Sequence, residues 1–506
     1  MFRTCVQDIG TYDVAVVGGG LAGIATALRL QAAGRSTIVF EAHGHAGGCA
    51  GYYRKRGFSF DVGATTLVDF ETASGMEGVG AQFLREVGAP PLRGEALPGY
   101  TVWLPDRVVH LHRDPARWHA ERLATLGRTP AHIAFWSLMD GLAAAFWPAS
   151  RAGARLPMRR PTDAWHNLRS IKPRHLPLAR YAYSTMGQAL RRFGLRGDKP
   201  LTGLLAMLVE DTVHATLDEA PLINSALGVT IRGAGLTRHE GGMHGFWRSL
   251  VSHYRTLGGT LRVGCDVRGV TGLPGQLTLQ TRLGVCHARQ VVCAVPAETA
   301  ARICRTLPVA HRLQRYLSRD GSRLGGAVVA FLGVPEKEIT EQRFTHHQLL
   351  RDYDRPLGNG NNMFMSVSAP GDELSAPAGH RAVMISTHTT LDEWRGENYE
   401  QHKKEIGERL VSLARRVHPS LGERACFFEV GTPRSYERFA FRPGGAVGGP
   451  HQSLDNANQH AIPHDLGGPG IWLVGDSTWP GLGTIACVLG SRIVAEGALR
   501  WSSRLR

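Results

Sequence analysis

Residues 12–51 read YDVAVVGGGLAGIATALRLQAAGRSTIVFEAHGHAGGCAG. Asp13 to Val17 is a short β-branched run that suits a buried parallel strand. Gly18-Gly19-Gly20-Leu21-Ala22-Gly23 follows at once, and a helical pattern then runs through Ala33 to a stop at Gly34. Thr37 to Phe40 reads as a second strand, closed by Glu41. This is a βαβ start carrying Gly18-x-Gly20-x-x-Gly23 in the context that a dinucleotide fingerprint requires. Gly18 permits the tight turn, Gly20 lets a pyrophosphate approach the backbone, and Gly23 lets helix and strand pack closely. The helix N-terminus offers unpaired N–H groups to phosphate. Glu41 lies 18 residues beyond Gly23, close to the spacing of about 20 for a carboxylate that binds a ribose hydroxyl.

Outward from this stretch, Gly47-Gly48-Cys49-Ala50-Gly51 and then Asp61-Val62-Gly63-Ala64-Thr65-Thr66 form further glycine-bearing turns. A second glycine pair just past the ribose carboxylate lets the backbone run beside a long cofactor, which favours FAD over NAD. At the other end of the chain, Ile471–Val474 reads as a buried strand ending in Gly475-Asp476, at the carboxyl edge where an open α/β sheet binds ligands. Pro480-Gly481-Leu482-Gly483-Thr484 then leads into a helix from about Ile485 to Arg500. Asp476 would hydrogen-bond the ribityl or phosphate end of the cofactor.

The sequence predicts an α/β fold: a Rossmann-type FAD-binding domain built from residues 11–90, 240–310 and 465–506, interleaved with an α+β substrate domain from 91–239 and 311–464. A helix is expected from Gly241 to about Leu257. Strands are expected at Thr260–Val263, Asp266–Val270, Leu277–Thr281, Val285–Ala288 and Gln290–Ala294. In the substrate segments, strands at Ala327–Leu332 and Ala382–Thr387 precede a helix at Tyr399–Val417.

The net charge is +15 over 506 residues, which suits an anionic surface such as lipid headgroups or nucleic acid. Residues 151–200 hold twelve Lys or Arg against Asp163 and Asp198, with Trp147, Trp165, Tyr181 and Tyr183 nearby. Segment 147–200 therefore reads as a membrane-facing surface, or as a solvated arginine-rich face. No zinc pattern or nucleic-acid fold is recognisable, so a nucleic-acid partner is not expected. The eight cysteines, Cys5 included, lack metal-ligand spacing and read as free thiols in a reducing compartment, with no metal site. The start MFRTCVQDIGTYD has no apolar h-region, and no uncharged apolar run reaches 18 residues. A cytoplasmic protein, held peripherally at the inner face of a membrane, is expected. Ala131 to Ser150, interrupted by Asp140, could dip into an interface or be a buried helix.

Taken together, the N-terminal block, GGMHGFWRSLVSHYRTLGGTLRVGCDV (241–267) and GIWLVGDSTWPGLGTIACVLGS (470–491) resemble the carotenoid desaturase and isomerase branch of the flavin amine oxidase superfamily. Gly431-Thr432-Pro433-Arg434-Ser435-Tyr436-Glu437-Arg438-Phe439, with Gly444 to Gly449 and Gln452, is similar to the end region of acyclic carotenoid 3,4-desaturases. The resemblance implies noncovalent FAD, a forty-carbon polyene, peripheral membrane attachment and formation of a C-3,4 double bond in an acyclic, possibly 1-hydroxylated carotenoid. A phytoene-type desaturase, a cis-trans isomerase and a flavin amine oxidase are the alternatives. It also implies that Gly18, Gly20, Leu21, Ala22, Gly23, Glu41, Gly47, Gly48, Gly63, Ala64, Val267, Gly475, Asp476, Gly483, Thr484 and Ile485 hold the cofactor, with the Val267 backbone at the adenine.

Hydride transfer to flavin asks the protein mainly to align the substrate and exclude water. The best acid–base candidates are Glu210 and His214, four apart on one helical face beside Asp211, though a helix-surface ion pair is the better explanation of them. Cys49 reads as a small packing residue.

Overall fold

The computed structural model describes residues 7–73 and 76–503; the N-terminal stretch with Cys5 lies outside them. A large sheet is organised around the strand Asp8–Val17. Its parallel part runs in the order Thr260–Arg262, Thr37–Phe40, Asp8–Val17, Val285–Cys293, with Ile471–Leu473 on the far side. Val14 to Val17 are buried, as a strand covered on both faces requires. The first strand begins five residues before the expected Asp13, because Asp8 to Tyr12 pair with Val285 to Ala288.

Val285–Cys293 is one strand where the sequence suggests two. Its first half pairs antiparallel with Gln276–Thr281 and alternates between buried and exposed residues. Its second half pairs parallel with Ile471–Leu473, and its last four residues are all buried. The change in burial period along one extended backbone makes the segment read as two pieces.

Helix Leu21–Ala32 buries nine of its residues because it is pressed between the sheet and the C-terminal helix Thr484–Ser503. Arg29 joins them: it donates to Ser491 Oγ at 2.6 Å and pairs with Glu86 at 3.1 Å.

A second seven-stranded sheet draws on both middle segments, in the order Val108–His112, Gly99–Trp103, His346–Leu350, Asn362–Val367, His380–Thr390, Gly325–Pro335, Phe427–Gly431. Helix Lys199–Val213 lies beside its centre, where Gly203 leaves no room for a methyl group against Tyr353 and Leu350. Helix Pro130–Arg151 is a core helix: Phe135, Trp136, Met139 and Leu142 are buried, and Asp140 pairs with the buried Arg122 at 2.9 Å. The helix expected over Tyr399–Val417 ends at Ala414.

Candidate active site

Five parallel strands stop together. Val17 is level with Phe40 and Cys293, Phe40 with Arg262, and Cys293 with Leu473. The chain turns away from that edge at Gly18, Glu41, Ala294 and Val474, opening a cavity of about 500 Å³, within the size range of small-molecule sites.

Fifteen of the sixteen positions expected to hold the cofactor line this cavity: Gly18, Gly20, Leu21, Ala22, Glu41, Gly47, Gly48, Gly63, Ala64, Val267, Gly475, Asp476, Gly483, Thr484 and Ile485. Gly23 does not. A Cβ there would stand 2.1 Å from the Gly18 carbonyl oxygen, so its place is in the helix–strand packing. At Gly20, Gly475 and Gly483 an added Cβ would meet nothing within 4 Å; the bare backbone faces open space. The Gly47 N–H donates to the Gly19 carbonyl at 3.0 Å, which lays the second glycine pair against the first loop.

The Glu41 carboxylate closes the same corner, accepting from the backbone N–H of Gly19 and of His43 at 2.7 Å each. Burial raises its pKa, against the pull of those backbone donors. Its remaining lone pairs and the uncapped start of helix Leu21–Ala32 together match a ribose and pyrophosphate. The residues present fit a dinucleotide cofactor.

Asp476 has a partner that the sequence does not reveal. Arg442 Nη1 lies 2.8 Å from its Oδ2 and donates from Nε to the Ala446 carbonyl at 2.6 Å. Burial works against the Arg442 charge, but Asp476 holds its pKa above the usual arginine range. Cys49 also lines the cavity, and burial pushes its thiol pKa up, as befits an unreactive thiol.

The far wall comes from the second sheet, neighbouring helices and strand Leu236–His239 of a separate three-stranded sheet. Tyr100, Ile231, Leu236, Val329 and Phe364 make it apolar and aromatic, while Asp211, His214, Arg232 and His388 interrupt it. The surface ion pair expected of Glu210 and His214 is not formed. Helix Lys199–Val213 ends one residue before His214, which turns left-handed at φ 56° and leaves the helical face. Glu210 instead pairs with His388 Nδ1 at 3.2 Å, across the gap to strand His380–Thr390, and accepts from Asn362 Nδ2. Glu210 itself does not reach the cavity wall; His214 does. Asp211 also lines the cavity and accepts from Gln348 Nε2.

The electrostatics divide these groups. Burial opposes charge on His388, but Glu210 and then Asp211 outweigh it and lift its pKa to about 9. Burial pushes the Asp211 carboxyl up to about 6, Glu210 adding to this while His388 and Arg232 oppose it. Burial, reinforced by His388, drives the His214 pKa well down. Near neutral pH the wall therefore carries a protonated His388, held from behind by Glu210, a neutral His214, and a carboxyl, Asp211, poised close to working pH.

The profile of the family described as flavin containing amine oxidoreductase matches residues 21–499. A chloroplastic prolycopene isomerase of Daucus carota is 24% identical over 94% of this chain and 78% of its own. A 4,4'-diapophytoene desaturase (4,4'-diaponeurosporene-forming) of Staphylococcus aureus is 20% identical over 96% of this chain and 98% of its own. Among solved structures, an oxidoreductase from Methanosarcina mazei superposes with a TM-score of 0.64 at 17% identity, covering 96% of this chain and all of that one.

Proposed function

Because the chain belongs to the flavin containing amine oxidoreductase family and its cofactor is FAD, we propose that it desaturates a long acyclic polyene of the carotenoid class, forming the C-3,4 double bond. One observation carries this reading: a single cavity places dinucleotide-type loops opposite an apolar, aromatic wall holding a protonatable carboxyl. Similarity to the staphylococcal desaturase along nearly the whole chain supports it. So does the segment Gly431 to Phe439, similar to the end region of acyclic carotenoid 3,4-desaturases, whose Tyr436 lines the cavity.

Bound FAD supplies a hydride acceptor. The chain's own task is to hold the polyene beside it, keep water out, and take the proton lost from the neighbouring carbon. Tyr100, Ile231, Leu236, Val329 and Phe364 serve the first two tasks. Asp211 serves the third: as carboxylate it accepts the proton at an Oδ atom, while His388 stays protonated against Glu210. Incubation of FAD-loaded protein with acyclic polyenes should yield products two mass units lighter, with the new bond located at C-3,4 by NMR. An unchanged mass with a shifted absorption spectrum would replace desaturation by cis-trans isomerisation. Similarity to the carrot isomerase favours that second reading.

A polyene is delivered from lipid, and the basic segment offers a surface for it. Trp165, Leu168, Leu176 and Tyr183 are exposed among the exposed Arg169, Lys172, Arg174 and Arg180. Helix Pro161–Arg169 buries none of its residues. Among the described residues no helix is long and apolar enough to cross a membrane, so this face would rest on the headgroups. Each basic side chain near an anionic surface is worth roughly 1 kcal/mol. Replacing those four by alanine is accordingly expected to weaken sedimentation with phosphatidylglycerol vesicles by about a hundredfold or more. Equal binding of wild type and variant would remove this face from membrane attachment.

A further inference from the structure

A plain hydrocarbon cannot satisfy one group on the far wall. Arg232, in the short helix Ile231–Ala234, is 7% exposed and lines the cavity. Its Nε and Nη1 are buried without a hydrogen-bond partner among the described residues. Its guanidinium carbon stands 4.9 Å from the centroid of the Tyr100 ring, a contact that eases the charge but uses no N–H directionally.

Other buried arginines are differently placed. Arg238 lies 2.5 Å from Asp61, Arg122 2.9 Å from Asp140, and Arg442 2.8 Å from Asp476. An unpartnered guanidinium facing a cavity calls for an acceptor supplied from within that cavity.

Its neighbours narrow the chemistry. Asp211 shares the wall. Gln348, which gives its Nε2 to Asp211, keeps a buried Oε1 without a partner. The Tyr100 and Thr66 hydroxyls, both at the cavity, are 3.2 Å apart. Free donors thus stand beside acceptors, one of them a carboxylate that would repel an anion. A neutral oxygen accepts from Arg232 without opposing Asp211, and a hydroxyl can also donate.

We propose that Arg232 binds a neutral oxygen, hydroxyl or keto, at one end of an otherwise apolar polyene substrate. This rests on the polyene reading given above. The guanidinium acts as a specificity determinant: it selects an oxygenated end group over the hydrocarbon end of the same chain length, and fixes which end enters the cavity.

The test is equilibrium binding to the FAD-loaded protein, read by quenching of tryptophan fluorescence. The probes are four acyclic polyenes of equal conjugation bearing a methyl, hydroxyl, keto or carboxyl end. A hydrogen bond to a charged donor should favour the hydroxyl and keto forms over the methyl form by about tenfold to a hundredfold. Arg232→Met should erase that preference, and Arg232→Lys, which keeps the charge with fewer fixed donors, should retain part of it. Thermal melts of both variants establish that they are folded. Equal wild-type affinity for methyl and oxygenated ends overturns the inference, as does a preference that survives Arg232→Met. Tightest binding of the carboxyl form overturns the neutral class. If wild type binds none of the four, the polyene reading falls, and the inference with it.

Discussion

A Gly18→Val variant is expected to be purified without FAD. Gly18 sits at φ +105°, where L side chains are strained. A Cβ built there stands 2.4 Å from the Ala294 carbonyl oxygen and 2.9 Å from its carbon. That carbonyl cannot retreat easily: Ala294 follows Cys293, which is held in parallel register with Val17 on one side and Leu473 on the other. The Ala294 N–H is itself bonded to the Val17 carbonyl at 2.8 Å. Backbone strain and overpacking each cost roughly 1–3 kcal/mol. The loop that must present Gly20 to the cavity is the part free to yield.

Flavin absorbance per mole of protein, with circular dichroism to follow the fold, checks this. Gly44→Ala is the control, because an added Cβ at Gly44 meets nothing within 4 Å. It should keep full flavin content and a melting temperature within about 2 °C of wild type, as for a surface change of a few tenths of a kcal/mol. Full FAD content in Gly18→Val would refute the assignment of this loop to the cofactor.

The contrast between Gly18 and Arg232 explains which parts of the site could be seen in the sequence. The turn from Val17 to Gly23 is specified locally: a β-branched strand, a residue at positive φ, and a helix start must follow one another within a few residues. Gly475 and Gly483 obey the same local logic at the other end, as does the α/β fold they belong to. His388, Arg232 and Arg442 obey no local rule. A histidine in a strand, an arginine in a one-turn helix and an arginine in a loop acquire meaning only when the tertiary fold brings them to the cavity.

Glu210 and His214 show a subtler failure. Periodicity places residues four apart on one helical face, but it does not say that the helix stops at Val213. Nor does it tell whether the face meets solvent or a strand more than 150 residues away in the sequence. His388 answers the second question, and its ion pair with Glu210 at 3.2 Å takes the place of the helix-surface pair.

Asp211→Asn is expected to separate stability from turnover, moving them in opposite directions. Burial, aided by Glu210, raises the Asp211 pKa to about 6 in the folded protein, against His388, Arg232 and the Gln348 donor. In the unfolded chain an aspartate titrates near 3.9. Between those values the native state binds more protons than the unfolded state, so rising pH through this window lowers stability. Above about pH 6 the full cost applies, on the order of 2–3 kcal/mol.

Asparagine carries no charge to bury, and its amide oxygen can still accept from Gln348 Nε2. The variant should therefore melt higher than wild type at neutral pH, with the difference closing toward pH 4. His388 makes the opposite contribution: its pKa, raised to about 9, gives stability that is full below about 6.5 and is lost as pH rises through about 9. A Glu210→Gln variant should weaken that stabilisation and also remove Glu210's share of the Asp211 shift, leaving the Asp211 window that burial, its largest cause, opens.

Turnover of the polyene should fall roughly a hundredfold or more in Asp211→Asn, the scale of a lost proton acceptor. The wild-type kcat should rise with pH through about 6, as the accepting carboxylate forms, and that rise should disappear in the variant. A variant that turns over as fast as wild type with the same pH profile would leave Asp211 a structural residue and return the proton to solvent. A carboxyl that destabilises the empty fold yet is needed for turnover is what a site poised for chemistry predicts. Measuring melting temperature and kcat on the same two proteins across one pH range tests both halves together.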